Sequence, residues 1–223
     1  MKRASNDTTE TDPDAKKARN AIEPKVIFAF SPTAKLIEFD LFADPDWMTI
    51  IEKVADEAQP QLIRHPKLGK LYGKDMRMQR SVGFFANPKE TVGYKFSRQV
   101  MKSIPPSEAM VALMAMISEL IGSKINGILV NWYENGSEYI SPHSDDERGL
   151  SDTGVFCISL GADRTFRLRN KATKKILFDT YTRHGTALMM QGCDFQKVMT
   201  HEIPKCAAIT TPRISITGRH HTE

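Results

Sequence analysis

The chain has 223 residues, of which 40% are hydrophobic and 26% are charged, and its formal net charge is +4. This length and composition are typical of one globular domain with a single sizeable core. They exclude a long apolar membrane span, since no run of about 18 apolar residues occurs, and the mild positive charge favours a polyanionic partner only weakly.

The N-terminal segment 1–23 has almost no apolar residues and is predicted to be a disordered tail. It lacks the apolar stretch of a secretory signal, and three widely spaced cysteines favour a reducing compartment over a disulfide framework. Two basic clusters, at residues 2–3 and 16–19, are similar to a bipartite nuclear import signal. A solvated tail of mixed charge is the alternative, so we expect either a nuclear or a cytoplasmic protein.

Ordered structure is predicted from residue 24 onward, and it begins with two strands at residues 25–30 and 34–40. A first helix follows, with Asp44 as its N-cap and Pro45 at its first position. A second helix begins at Pro106 and Ser107 and ends at a glycine, Gly122. Both helices carry apolar residues at helical spacing, which predicts that one face of each is packed against a core.

Short stretches rich in apolar and β-branched residues follow from residue 126 and predict a series of strands. Residues 64–104, between the helices, are rich in basic residues, glycine and aromatics and have no long period. Two helices followed by many short strands predict an α+β or mostly β domain, with the helices packed against a sandwich.

The stretch from Asn131 to Glu147 concentrates polar side chains that can bind a metal. His143 and Asp145 are one residue apart, so an extended backbone points both side chains to the same side. His201 follows later in a strand-like context. Two imidazoles and one carboxylate form the facial triad of non-haem Fe(II) sites, which leaves coordination positions open. A lone His-x-Asp pair is common by chance, so this interpretation depends on the rest of the pattern.

The last predicted strand, residues 213–219 with the sequence RISITGR, alternates polar and apolar side chains. Such alternation is typical of a strand with one face in a core. Two arginines, Arg213 and Arg219, therefore share one face with Ser215 and Thr217. Surface salt bridges are the alternative explanation for this pair of arginines.

Together these motifs resemble the AlkB family of Fe(II)- and 2-oxoglutarate-dependent dioxygenases, across roughly residues 64–220. The family pattern consists of N-x-Y, a loop with glycine, H-x-D followed by an acidic residue, a distal histidine, and R-x-N-x-T-x-R. The matching residues in this chain are Asn131, Tyr133, Gly136, His143, Asp145, Glu147, His201, Arg213, Thr217 and Arg219. One position departs from the pattern, because Ser215 stands where the family usually has Asn. This change predicts weaker binding of the cosubstrate.

The resemblance implies an α+β fold with a double-stranded β-helix (jelly-roll) core at residues 126–220 and two supporting N-terminal helices. The whole AlkB-like domain would span residues 24–223, and residues 64–104 would form a lid that recognises the nucleotide.

The resemblance also implies the ligands. His143, Asp145 and His201 would bind Fe(II), and O2 and 2-oxoglutarate would be the cosubstrates. Arg213 would hold the C5 carboxylate of 2-oxoglutarate through a bidentate contact, and Arg219 would lie toward its C1 carboxylate. The other residues expected to contact the cosubstrate are Asn131, Tyr133, Ser215 and Thr217.

For the substrate, the resemblance points to the lid and to one acidic residue. Tyr94 and Phe96 would stack on a flipped base, with Arg77 and Arg80 in the substrate-side loop. Glu147 would face a cationic methylated base, since charge pairing favours such a base over its neutral parent. The alternatives are that both aromatics are core residues and that Glu147 is a solvated loop carboxylate.

The function implied by the family is oxidative demethylation of DNA at bases such as 1-methyladenine and 3-methylcytosine, with release of formaldehyde and succinate. We expect a monomer that acts on methylated DNA or RNA and does not bind a membrane. Two alternatives stay open. One is an RNA demethylase, or a hydroxylase of proteins or small molecules, within the same family. The other is a non-catalytic binder of methylated nucleic acid.

Overall fold

The computed structural model describes residues 22–72, 74–91, 93–96, 99–145, 151, 153–192 and 194–222. The predicted tail up to residue 21 and Glu147 lie outside these residues, and so does the side chain of Phe96. Within the described ranges, no helix has both the length and the apolar character needed to cross a membrane.

Two larger helices and many short strands make up the described chain. The helices are α1 (Pro45–Ala58), α2 (Glu108–Ile121) and the single-turn α3 (Phe195–Val198). The strands are β1 (Lys25–Ser31), β2 (Ala34–Asp40), β3 (Lys67–Leu71), β4 (Lys74–Arg77), β5 (Ser81–Ala86), β6 (Tyr94–Phe96), β7 (Gln99–Met101), β8 (Gly127–Tyr133), β9 (Ile140–His143), β10 (Gly154–Gly161), β11 (Arg164–Asn170), β12 (Ile176–Thr182), β13 (Thr186–Gln191), β14 (Met199–Ile203) and β15 (Arg213–Arg219).

Both predicted helices are confirmed, together with the caps that define them. At the start of α1, the Asp44 side chain accepts a hydrogen bond of 3.0 Å from the backbone N–H of Asp46. The Ser107 hydroxyl accepts one of 3.3 Å from Met110 at the start of α2. Gly122 ends α2 in the left-handed region, at φ 65°, which costs glycine little because it has no Cβ.

The strands form two main sheets that face each other. The large sheet has the order β1-β2-β13-β10-β15-β8-β5, and the small sheet has the order β12-β11-β14-β9. Strands β8 to β15 are therefore divided equally between the two sheets, and their neighbours pair in antiparallel fashion. This arrangement is a double-stranded β-helix, so the predicted jelly-roll core is confirmed.

The alternation of side chains in the large sheet separates an apolar layer from a polar one. On one face, Ile216 of β15 and Phe156 of β10 are fully buried in a cluster that includes Ile51 of α1 and Leu113 of α2. The opposite face carries the polar residues of β15 and looks toward the small sheet. The two helices thus support the large sheet from outside, and the functional groups lie between the sheets.

Residues 64–104, predicted as a lid, contain three structural parts. Strands β3 and β4 form a hairpin of their own, and so do β6 and β7. Between these hairpins, β5 pairs with β8 as the edge strand of the large sheet and is mostly buried. The middle of the predicted lid is therefore part of the core sheet, and the two hairpins are the parts that lie beside the jelly roll.

A pair of substitutions in α2 tests the helix-on-sheet packing. Leu113 is fully buried, whereas Val111 on the same helix is 52% exposed. We expect Leu113→Ala to lower the free energy of unfolding by about 2–5 kcal/mol, because it leaves a cavity in the core. The matched variant Val111→Ala should change it by less than about 0.5 kcal/mol. Urea denaturation measures both values, and equal losses would contradict this packing.

Candidate metal centre

Two neighbouring strands of the small sheet bring the predicted metal ligands together. His143 ends β9 and lies directly opposite His201 of β14, with ring centroids 4.2 Å apart. Asp145 follows two residues beyond the end of β9, with Oδ1 3.8 Å from His143 Nε2 and Oδ2 3.5 Å from His201 Nε2. One ligand atom from each residue lies within 4.8 Å of the other two. The three residues thus form one compact cluster.

The charge states in this cluster are those that metal binding requires. Burial alone would raise the pKa of Asp145, but attraction to Arg219, His201 and His143 outweighs it and holds the pKa well below its usual value. Burial and the neighbouring His143 lower the pKa of His201 from 6.5 to about 3, and burial also lowers the pKa of His143. At neutral pH the site therefore offers two neutral imidazoles and one carboxylate, as metal ligation demands.

The geometry of the donors fits a single first-row metal ion. His143 Nδ1 donates to the carbonyl oxygen of Ser141 at 2.9 Å, which leaves Nε2 for the cluster. Ligand atoms bound to one ion at about 2.1 Å lie at most about 4.2 Å apart, so the cluster needs only a small contraction. Two histidines and one carboxylate are the donor set of non-haem Fe(II) oxygenases, and we therefore regard these residues as able to hold Fe(II).

Two hydrogen bonds that the sequence analysis did not predict hold the His-x-Asp segment in place. The backbone N–H of Asp145 donates to the side-chain oxygen Oε1 of Gln196 at 2.9 Å. The Ser144 hydroxyl donates to the carbonyl oxygen of Met199, also at 2.9 Å. Gln196 is buried in the single-turn helix α3, immediately before the strand of His201. A four-residue helix has no detectable period, so no sequence pattern marked Gln196.

Arg219 lies beside the candidate metal ligands. Its Nη2 donates to Asp145 Oδ1 at 2.8 Å, and both side chains are almost fully buried. The guanidinium also lies over the ring of Tyr94, 5.0 Å from its centroid. Arg219 thus contacts the candidate metal centre directly, and its role toward the C1 carboxylate of the cosubstrate stays a prediction.

Arg213 occupies the other end of a narrow inner cavity that starts at the metal cluster. Its side chain is buried and donates to two neutral hydroxyls, from Nε to Thr182 Oγ1 and from Nη2 to Ser159 Oγ, both at 2.9 Å. Its Nη1 is buried and has no hydrogen-bond partner among the described residues. A buried guanidinium that has only neutral hydrogen-bond partners among the described residues fits a carboxylate ligand.

A second buried arginine, Arg164, strengthens the positive charge at this end of the cavity. The guanidinium carbons of Arg164 and Arg213 lie 5.6 and 5.3 Å from the centroid of the same ring, that of Tyr133. Burial, followed by the charge of Arg213, lowers the pKa of Arg164. The sequence analysis did not assign Arg164 to this site. The two cations together favour an anionic group in the cavity, as a dicarboxylate such as 2-oxoglutarate would provide.

The remaining predicted cosubstrate residues also line the inner cavity. Asn131 lies directly across from Ser215 in the pairing of β8 with β15. The side-chain oxygen of Asn131 accepts a hydrogen bond of 2.7 Å from Arg80 Nε. The Ser215 hydroxyl lies 3.2 Å from that of Thr217 and 3.3 Å from the sulfur of Cys157. The alternating face of β15 thus contributes its whole polar set to one cavity.

A larger cleft of about 720 Å³ opens outside the inner cavity. One wall comes from the β3–β4 and β6–β7 hairpins, and the other comes from residues 139–144, which end next to the metal cluster. Three cations line it, Arg77, Arg80 and Lys95, and no acidic residue does so within the described parts of the chain. The cleft is therefore suited to an anionic substrate.

The predicted substrate residues differ in their positions around this cleft. Arg77 is exposed on its wall, whereas Arg80 and Tyr94 are buried and line both the cleft and the inner cavity. The Tyr94 ring packs against Phe84, with centroids 6.0 Å apart. Base stacking by Tyr94 stays a prediction, as do the roles of Phe96 and Glu147.

Comparison with known proteins connects this geometry to a family. A model of the 2OG-Fe(II) oxygenase superfamily matches residues 40–219. The chain is 32% identical over 136 residues to the alpha-ketoglutarate-dependent dioxygenase alkB homolog 3 of Mus musculus, a match that covers 56% of this chain and 47% of that protein. It is 26% identical over 177 residues to the DNA oxidative demethylase ALKBH2 of Arabidopsis thaliana, covering 67% and 55%. The chain spans about half the length of the curated relatives it matches.

The fold comparison agrees with the sequence comparison. The solved structure of OsALKBH1 superposes with a TM-score of 0.55 at 14% identity and covers 86% of this chain and 100% of that one. At this identity the likeness shows a shared fold. The superfamily match extends from the end of β2 to the end of β15 and includes each of the three candidate metal ligands. The chain therefore belongs to the 2OG-Fe(II) oxygenase superfamily, and the curated relatives to which it is similar include an alkB homolog 3 and ALKBH2 proteins.

Proposed function

We propose that this protein is an Fe(II)- and 2-oxoglutarate-dependent dioxygenase that removes N-methyl groups from DNA bases such as 1-methyladenine and 3-methylcytosine. Formaldehyde and succinate would be the products. The observation that carries the proposal is the cluster of His143, Asp145 and His201, which shares one cavity with Arg213, a buried arginine with only neutral hydrogen-bond partners in the described part of the chain. Relatives named as DNA oxidative demethylases support DNA as the substrate.

Each part of the inner cavity has a role in this proposal. The two histidines and Asp145 would hold Fe(II), which supplies the oxidising chemistry when 2-oxoglutarate and O2 are bound. Arg213 would bind the C5 carboxylate, and its contacts with Thr182 and Ser159 fix its position before the cosubstrate enters. Arg219 would keep Asp145 ionised and in place. The remaining polar residues of β8 and β15 would complete the hydrogen bonds to the cosubstrate.

The outer cleft would bind the nucleic acid. Arg77 and Lys95 can contact phosphates, and such contacts position a strand without reading its sequence. A methylated base must leave its stack to reach the metal, and the cleft leads from the surface to His143. The half-buried Tyr139 and the buried Tyr94 supply aromatic surface along this path.

A competition among methylated substrates tests the proposed function. We expect formaldehyde release from oligonucleotides with 1-methyladenine or 3-methylcytosine in the presence of Fe(II) and 2-oxoglutarate. Single-stranded DNA, duplex DNA and RNA of one sequence should be compared, with His201→Ala as the inactive control. Turnover of RNA alone would show that RNA, rather than DNA, is the substrate. Turnover only of proteins or small molecules would refute the proposed demethylation of nucleic acid. Binding without turnover, unaffected by His201→Ala, would indicate a non-catalytic binder.

Loss of the Arg213 side chain should weaken the binding of the cosubstrate rather than the binding of the substrate. We expect Arg213→Ala to raise the KM for 2-oxoglutarate by about 10- to 100-fold, since a hydrogen bond to a charged group contributes about 1.5–3 kcal/mol. Activity should recover in part at high 2-oxoglutarate. Arg167→Ala is the matched control, because that guanidinium pairs with Asp179 on the surface. An unchanged KM for 2-oxoglutarate would exclude the proposed role of Arg213.

Removal of the hydrogen bond from Asp145 to Gln196 should weaken the metal site. We expect Gln196→Met, which keeps the length of the side chain but removes the acceptor, to raise the Kd for Co(II) about 10- to 100-fold. Titration followed by Co(II) absorption in the absence of cosubstrate measures this affinity. The exposed Gln191 provides the control variant Gln191→Met. Equal affinities in the two variants would show that Gln196 does not support the site.

A further inference from the structure

The β3–β4 hairpin forms part of the cleft wall but pairs with neither main sheet among the described strands. It contributes Leu68, Met76 and Arg77 to the lining of the cleft. Just before it, Ile63 forms a short bridge with Val82 of β5, with N–H to carbonyl distances of 2.9 and 3.0 Å. Since neither main sheet pairs with β3 or β4 in the described part of the chain, the position of the hairpin depends on the contacts at its base.

The two ends of the hairpin are bound to two consecutive residues, one end to Glu138 and the other to Tyr139. Before β3, His65 Nε2 lies 2.5 Å from the carboxylate oxygen Oε1 of Glu138. After β4, the carbonyl oxygen of Gln79 accepts a hydrogen bond of 3.1 Å from the backbone N–H of Tyr139. Glu138 and Tyr139 directly precede β9, which carries His143. The hairpin is therefore tied to the segment that leads to the metal cluster.

The Glu138 end of this contact is rigidly held. Glu138 is 9% exposed, and its other oxygen, Oε2, accepts a hydrogen bond of 2.8 Å from the backbone N–H of Glu134. Its backbone carbonyl accepts a bond of 2.7 Å from Nη2 of the buried Arg164, which also donates to the carbonyls of Asn135 and Pro204. The carboxylate is thus a fixed point, held by backbone contacts on both sides.

At the other end of the contact, the backbone of His65 adopts an uncommon conformation. His65 has a φ of 44°, in the left-handed region that residues other than glycine adopt at some cost. Its carbonyl oxygen accepts a hydrogen bond of 3.2 Å from Nη1 of Arg77, one of the cations of the cleft. The residue that reaches Glu138 therefore also positions a cleft cation.

We propose that the hydrogen bond between His65 and Glu138 is a clasp that sets the width of the substrate cleft and the position of Arg77. His65 and Glu138 are positioning residues in this proposal, which rests on the proposed action on nucleic acid. The clasp holds the free-standing hairpin at one distance from the metal-bearing segment. Without it, the segment that enters the hairpin loses its contact with Glu138, Arg77 is held less firmly, and the substrate binds less tightly. Neither His65 nor Glu138 is among the residues that line the inner cavity, so that cavity keeps its geometry.

Two variants of His65 separate this role from general stability. His65→Asn suits the left-handed backbone, because asparagine adopts it readily, but its shorter side chain does not reach Glu138. His65→Gln places an N–H donor near the position of the histidine Nε2 and restores the bond. Arg183→Gln is the control, because it removes an exposed hydrogen bond to Glu38 on the large sheet, away from the cleft.

In the full chain, we expect His65→Asn to raise the KM for a methylated oligonucleotide about tenfold, the size of one hydrogen bond to a charged group. The kcat and the KM for 2-oxoglutarate should stay within about twofold, since the inner cavity is not part of the clasp. His65→Gln should return the KM toward the original value, and Arg183→Gln should leave it unchanged. A parallel loss of kcat in His65→Asn would indicate a purely structural role and overturn the proposal.

Hydrogen exchange of residues 67–77 gives a readout that does not depend on catalysis. Exchange should be faster in His65→Asn than in the original chain and in His65→Gln. Unchanged exchange would overturn the clasp. If the original chain demethylates no oligonucleotide, the proposed function fails. The clasp is then tested by hydrogen exchange together with the Kd for an oligonucleotide, measured by fluorescence anisotropy. Faster exchange without a weaker Kd would also overturn it.

Discussion

The buried ion pair between Arg219 and Asp145 connects the two halves of the molecule. Arg219 ends β15 of the large sheet, whereas Asp145 follows β9 of the small sheet, and their 2.8 Å contact lies between the sheets. Burial of two charges costs several kcal/mol per ion unless each has a well-placed partner. Here Arg219 supplies the compensating positive charge, because the lowered pKa values of His201 and His143 leave both imidazoles beside the carboxylate neutral at neutral pH. The jelly roll is thus closed at this point by charge complementarity, and apolar packing holds it elsewhere.

Arg213 shows the opposite arrangement at the far end of the same strand. Its side chain is as deeply buried as that of Arg219, but its partners are the neutral hydroxyls of Thr182 and Ser159. Arg164 lies nearby and adds like charge. Such a site lowers the stability of the empty protein, because a buried cation without a counter-ion is unfavourable. A bound dicarboxylate would remove this penalty, which explains why two arginines on one strand face have such different surroundings.

The parts of the fold that sequence predicts well are those governed by local patterns. The caps of α1 and α2 and the alternation of β15 depend on neighbouring residues, so they are visible in the chain itself. The position of β5 within the large sheet depends on its pairing with β8, and no local pattern separates it from the hairpins around it. Gln196 and the pair of His65 with Glu138 also act through contacts between distant segments. Such contacts depend on the register of the strands, and one sequence alone does not contain that information.

The register between β8 and β15 changes the effect expected from Ser215. The sequence pattern predicts a loss of cosubstrate affinity there, because a hydroxyl replaces the usual side-chain amide. In the sheet, however, Ser215 lies directly opposite Asn131, which lines the same cavity. The oxygen of that amide accepts from Arg80, so its Nδ2 group is the part left to donate to a ligand. Since Arg80 lines both cavities, this hydrogen bond also joins the inner cavity to the outer cleft. The side-chain amide of Asn131 is therefore linked to both cavities. The predicted loss of cosubstrate affinity at Ser215 depends on how well the Nδ2 group of Asn131 replaces the missing donor.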